Sequence, residues 1–148
     1  MKRRIDVLHG VNLDQLGKRD PEQYGTFSLP ELEVRIKHFA DELGFDVTFW
    51  QTNHEGEYCE QLHIARERAD GLLLNPGAWT HYSYAIADAL EVSGLPAIEV
   101  HISEVDDREE EWRRLSVIRD LCVGRVQGKG ADGYRDALEI LRDHLGDS

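Results

Sequence analysis

The 148-residue chain has few of the devices that anchor or staple a protein. Its two cysteines, Cys59 and Cys122, are too few and too scattered for a disulfide framework or a cysteine zinc site. They read as reduced thiols of a cytoplasmic protein. No apolar run approaches the roughly 20 residues of a membrane helix, so no membrane partner is expected. The chain opens Met-Lys-Arg-Arg, as a signal peptide does, but Asp6 interrupts the apolar part and no cleavage site follows. Basic residues are in deficit, 17 against 29 acidic, for a net charge of −12. Such a surface repels phosphate backbones, and nucleic acid is not expected as a partner. A small anion can still bind where cations gather locally. Metal-ligand spacing is missing too: His9, His54, His63, His81 and His101 are scattered, without a His-Glu-x-x-His motif. Gly124, Gly128, Gly130 and Gly133 lack the spacing of a dinucleotide or Walker loop. The expectation is a catalyst or binder with neither metal nor cofactor.

The length suits one domain spanning residues 1–148. Strand and helix patterns alternate without a long linker. Ile5–Leu8, Phe45–Trp50, Gly71–Asn75, Pro96–His101 and Leu121–Val126 read as strands. Helices are expected from a Ser28-Leu-Pro-Glu31 capping box to Leu43, then over Glu57–Ala69, Tyr82–Val92 and Ala131–Leu145. A shorter one is expected within the charged stretch Asp106–Arg114. Residues Val11–Phe27 contain Gly17, Pro21 and Gly25 and no helical period, as a binding loop or lid would. The series predicts an α/β protein: a three-layer α/β/α sandwich, flavodoxin-like, around a five-stranded parallel sheet.

Four of the apolar stretches run into Asn or His: His9 with Asn12, Asn53 with His54, Asn75, and His101. In an open α/β sheet, ligands bind beyond the carboxyl ends of the strands, so these side chains read as one assembled site. In the glycine-bounded loop, Arg19 lies close to Tyr24. A neighbouring guanidinium favours a phenolate, which can act as a base, although an ordinary solvated loop has the same composition. His54-Glu55 could supply a base or metal ligands, but the strand-to-helix junction favours a turn and capping role. Gly77 allows close backbone approach, and the helix start after Asn75 could hold an anion. His81 either caps or binds there, with Asp88 two turns on along the same helix face. His101 at a strand end suits a general acid, or a structural histidine, and the following Ile102 and Ser103 amides suit a carboxylate.

Taken in order, these segments resemble type II 3-dehydroquinate dehydratase. The pieces are Gly10 with Asn12-Leu13, Leu16-Gly17, Arg19, Pro21-Glu22, Tyr24-Gly25, Gln51 with Asn53–Glu57, Asn75-Pro-Gly-Ala78 with His81, Ile98–Ser103, Arg108-Glu109 and Gly133-Tyr134. They cover almost the whole chain with similar spacing. The resemblance implies a metal-free, cofactor-free anti elimination of water from 3-dehydroquinate through an enolate. It assigns Tyr24 as base, Arg19 as its stabiliser, His101 as acid and Asn12 as holder of the water at the enolate. Asn75, His81, Ile102, Ser103 and Arg113 would bind substrate. Asp88 would reach a neighbour's site across a trimer contact, within a homo-oligomer, usually a dodecamer of four trimers.

The chain departs from the family pattern at several points. His9 and Val11 replace an Asn and a Pro, and Asp14-Gln15 replaces an Asn-Leu pair. One inserted residue before Trp112 matches the substrate-contacting arginine to Arg113, with Arg114 the neighbouring register. Leu115-Ser-Val replaces His-Ser-Tyr, and Arg125 and Lys129 stand where apolar residues are usual. Two alternative functions fit the same residues: a related lyase acting on another cyclic polyol-ketone acid, or a non-catalytic binding paralogue.

Overall fold

A computed structural model describes residues 2–146. Five parallel strands, β1 (Arg3–His9), β2 (Phe45–Gln51), β3 (Gly71–Asn75), β4 (Ala97–His101) and β5 (Gly124–Gln127), form one sheet. Their order is β2-β1-β3-β4-β5, the flavodoxin-like winding, with β3 and β4 buried along their whole length. The helices are α1 (Pro21–Tyr24), α2 (Leu29–Leu43), α3 (Glu55–Arg68), α4 (Tyr84–Ser93) and α5 (Asp132–Leu145). None of the described helices is long and apolar enough to cross a membrane.

Strand alternation sorts side chains between two apolar layers. Ile5, Val7, Leu73, Ile98 and Val100 face α2 and α5, meeting Leu32, Ile36, Tyr134 and Leu138. Leu8, Leu72, Leu74 and Ala97 face α3 and α4, meeting Tyr58, Leu62, Ile86 and Leu90. Glu99 and His101 follow Ala97 at two-residue steps, so they share the second face. Burying each such Leu or Ile contributes roughly 1.5–3 kcal/mol, which makes the sheet a stiff platform for whatever its ends carry.

Local signals set most boundaries. Ser28 Oγ accepts from the Glu31 N–H at 3.3 Å, and Glu31 returns a bond to the Ser28 N–H at 3.1 Å, closing the capping box of α2. Gly44, at φ 84°, ends that helix.

Other boundaries differ from the sequence expectations, for visible reasons. The stretch Val11–Phe27 contains α1, because Asp20 accepts the Glu22 N–H at 3.0 Å and Pro21 fits the first helical position. Helix α3 starts at Glu55, two residues early. Thr52 Oγ1, not the His54 side chain, serves its entrance, accepting from the His54 N–H at 3.0 Å and donating to Glu57 at 2.6 Å. The third long helix starts at Tyr84 behind a Ser83 cap, and Gly77–His81 is a separate 3-10 turn. Asp106–Arg114 forms no α-helix but two short 3-10 turns, Val105–Asp107 and Glu111–Arg114. The fifth strand starts at Gly124, because Arg119–Leu121 curls into another such turn.

Candidate active site

A recessed cavity of about 130 Å³ opens at the carboxyl edge of the sheet. Its wall comes from the ends of β3 and β4, the loop after β1, and the turn carrying Trp112 and Arg113. The size suits a small molecule rather than a polymer. Asn12, Arg19, Tyr24, Asn75, His81, His101, Ile102, Ser103 and Arg113 all line it. His9 does not: it lies fully buried, stacked on Phe49, with Nε2 3.2 Å from Glu33.

On the loop side, the Tyr24 hydroxyl oxygen accepts from two guanidinium groups, Arg19 at 3.0 Å and Arg108 at 3.2 Å. The Arg19 guanidinium also covers the ring, its Cζ 3.9 Å from the centroid. Charge-assisted donors of this kind stabilise negative charge on the oxygen they share. Arg108 reaches on to Ser103 Oγ at 3.4 Å, joining the loop to the segment after β4.

On the strand side, His101 is 4% exposed and Glu99 is fully buried. Glu99 Oε2 lies 2.6 Å from His101 Nε2, and Ser116 donates to Oε1 at 2.7 Å. Burial opposes the charge on Glu99, but the bond from His101 and then those from Ser116 and Arg125 hold its carboxyl down at about 2. The carboxylate therefore orients the imidazole, leaving Nδ1 as the ring nitrogen for a ligand.

The remaining wall depends on bare backbone. A Cβ on Gly10 would lie 2.2 Å from the Pro76 carbonyl oxygen, and one on Gly77 would lie 2.5 Å from that of Val11. The loop after β1 thus interlocks with the turn after β3. Asn75 Oδ1 accepts the Gly77 N–H at 3.1 Å, fixing the amide at the cavity floor. Asn12 sits in the left-handed region at φ 69°, its N–H held by Asn53 Oδ1 at 2.9 Å. Asn53 and His54, grouped with the strand-end residues in the sequence, are not in the cavity wall; Asn53 supports Asn12 from behind. His81 Nδ1 bonds the Leu115 carbonyl at 2.7 Å, and its ring meets the Trp112 edge. Burial, and less strongly the charges of His101 and Arg113, lowers the His81 pKa despite the opposing Leu115 bond.

Two sequence expectations need correction, both beside Asp88. Asp88 is exposed and lies outside this chain's own cavity, among Tyr84, Ala87, Glu91 and Leu121 on α4 and the turn before β5, which leaves the expected role in a neighbour's site unchanged. His81 precedes α4 instead of sharing a helix face with Asp88, since the turn Gly77–His81 ends before the helix begins. For the same reason no α-helix starts immediately after Asn75 to hold an anion there; the start of α4 is capped by Ser83, with the Ile86 N–H donating to its hydroxyl at 3.1 Å. Of the two arginine registers, Arg113 lines the cavity, and Arg114 turns away to donate to the Arg108 carbonyl at 2.8 Å. Glu99, Arg108 and Trp112 had no role in the sequence reading. Glu99 was within reach of it, because residues two apart on a strand share a face. Arg108 was not, because its contact with Tyr24 spans 84 residues of chain. Among the described residues, no group of three or more His, Cys, Asp or Glu is arranged to hold a metal ion.

A tyrosine hydroxyl held by two guanidinium groups and a carboxylate-backed histidine line one recess of a flavodoxin-like sheet, an arrangement equipped for acid–base chemistry on a small molecule. The family model described as class II dehydroquinase matches residues 3–142. A 3-dehydroquinate dehydratase of Syntrophotalea carbinolica is 50% identical over 137 residues, 92% of each chain. The crystal structure of a type II dehydroquinase from Butyrivibrio crossotus superposes with a TM-score of 0.90 at 41% identity, covering 95% of this chain and 97% of the other. That of a type II dehydroquinase from Propionibacterium acnes gives 0.89 at 42% identity, with the same coverage. The chain belongs to the class II dehydroquinase family.

Proposed function

We propose that this chain, as a single cytoplasmic domain, removes water from 3-dehydroquinate to give 3-dehydroshikimate. The observation that carries the reading is the pairing of Tyr24, held by Arg19 and Arg108, with His101, held by Glu99, in one cavity. The phenolate of Tyr24 takes a proton from the carbon beside the ketone. The C–H electron pair forms the enolate double bond, and negative charge moves to the ketone oxygen. A water held by Asn12 donates to that oxygen as charge develops. The enolate then re-forms the ketone and expels the hydroxyl on the neighbouring carbon as the new C=C forms. His101 protonates this group through Nδ1, so it leaves as water. The imidazolium suits this step because Glu99 supports its positive charge from the opposite ring nitrogen.

Asn75, His81 and Arg113 grip the substrate hydroxyls, and the Ile102 and Ser103 amides take its carboxylate. Asp88 completes the site of a neighbouring copy, in a homo-oligomer built from trimers, usually a dodecamer. The exposure of Asp88 beside Tyr84, 76% exposed, and Leu121 supports a contact face there. The deciding assay follows the growth of enone absorbance from 3-dehydroquinate. Wild type without product overturns the function, and an unaffected Tyr24→Phe overturns the role of the base. Rates on amino- and deoxy-analogues that keep the leaving hydroxyl distinguish a shifted substrate. Light scattering reads the assembly, and Asp88→Asn is expected to raise KM in an intact oligomer.

A further inference from the structure

The carboxylate behind the proton donor has a second cationic partner. Glu99 and Arg125 face each other in the parallel β4–β5 register, on the sheet face that also carries His101. Arg125 Nε donates to Glu99 Oε2 at 3.0 Å, the same oxygen that lies 2.6 Å from His101 Nε2. Its Nη1 reaches Asp106 at 3.1 Å, so the guanidinium is held at both ends. The Arg125 side chain is 12% exposed and stays charged, since burial disfavours its cation less than Glu99 and then Asp106 favour it. Gln127 further fixes Asp106 with a bond of 2.7 Å.

We infer that Arg125 is a positioning residue that sets how firmly His101 keeps its proton, by competing with the imidazole for one oxygen of Glu99. The inference rests on the role of His101 proposed above. A bare buried carboxylate would hold the imidazolium so strongly that the proton became hard to release. The Glu99–Arg125 ion pair carries little net charge before the imidazole is counted. It still fixes the ring orientation while its pull on the proton is reduced. Arg125 is one of the positions where the sequence departs from the pattern of the family it resembles.

Other charges around the pair differ in kind. Cys122 packs near Glu99 as a neutral thiol, pushed up to about 12 by burial and then by that carboxylate. His81 and Arg113 face His101 from the opposite wall, and Arg19 and Arg108 sit with Tyr24 across the cavity. Asp106 is shared with Arg119 on the solvent side. None of these contacts the Glu99 oxygen that binds the imidazole; Arg125 does.

The test is a pH titration of imidazole nitrogen shifts in full-length, 15N-histidine-labelled protein. His101 is identified as the signal missing from His101→Gln. Wild type is compared with Arg125→Met, Arg125→Gln and Arg125→Lys, with thermal unfolding as a check of folding. Gln keeps a donor and similar bulk, so the comparison does not depend on Met being tolerated. The expected result is a His101 titration about one pH unit higher in Met and Gln, restored by Lys. The high-pH limb of kcat should move with it while KM changes little. A His101 titration that stays in place in folded Met or Gln variants, or moves as far in Lys, overturns the inference. The titration requires no turnover, so a wild type inactive on 3-dehydroquinate would sink the proposed function separately.

Discussion

His101 and Tyr24 line the same cavity but are held in opposite ways. His101 ends a strand buried along its length, and its carboxylate partner has no exposed surface. That carboxylate receives bonds from a histidine, a serine and an arginine drawn from three segments. Tyr24 ends a four-residue helix with no buried residue of its own. Its ring is partly buried against the edge of the core, and its hydroxyl is held by two arginine tips, one from its own loop and one from 84 residues away. The proposed proton donor is therefore built into the sheet, and the proposed base is carried by the loop after β1. Chemistry that demands a fixed ring orientation sits on the sheet, where displacement means breaking packed structure. The proposed base sits instead on a short helix held by side-chain contacts from two segments.

The sharpest way to break this contrast is Tyr24→Phe. We expect kcat to fall about 10³-fold, within the usual range for a lost general base, with stability unchanged to within about 0.5 kcal/mol. Product assays and thermal melts measured together check this, and a large loss of stability would mean that the loop is part of the core after all. His101→Ala should lose activity about 10²-fold and also stability, by about 1–3 kcal/mol, because Glu99 stays buried with one hydrogen-bond partner fewer. Denaturant melts of that variant matching wild type would remove the distinction.

The smallest effect concerns acid. Glu99 sits at about 2 in the fold against an ordinary 4.5, so its contribution is complete above about pH 4.5 and is lost as pH falls toward 2. The stability gap between wild type and Glu99→Gln, on the order of 1 kcal/mol at pH 7, should therefore close over that window. Tyr24→Phe should have no gap that varies there. A Glu99→Gln gap that does not depend on pH would mean the carboxylate is not held in its charged form by the fold.

Legibility followed the same division. The strands, their winding and the capping box of α2 could be read because apolar alternation and Ser28-x-x-Glu31 are local signals. Tyr24, Arg19 and His101 were legible through motif spacing. Arg108 was not, since nothing local ties it to Tyr24. Asp88 was assigned to the helix face of His81 because a 3-10 turn and an α-helix have similar periods over few residues, and only the Ser83 cap separates them. The Asp106–Arg114 stretch looked helical by charge, but it has few inward apolar residues, Val105 being the buried one at its start. Glu99 was only half legible: its two-residue step from His101 puts both on one strand face, but its partners on β5 and the Ser116 segment are far away in the chain.

The contact between the Gly10 and Gly77 turns has a consequence for how such a chain can vary. Backbone meets backbone there with no room for even a methyl group on either side. The two positions consequently act as a single genetic unit. No exchange at one can be compensated by trimming a side chain at the other, because neither has one to trim. The rivet that fastens the loop after β1 to the floor of the site therefore has a single spelling.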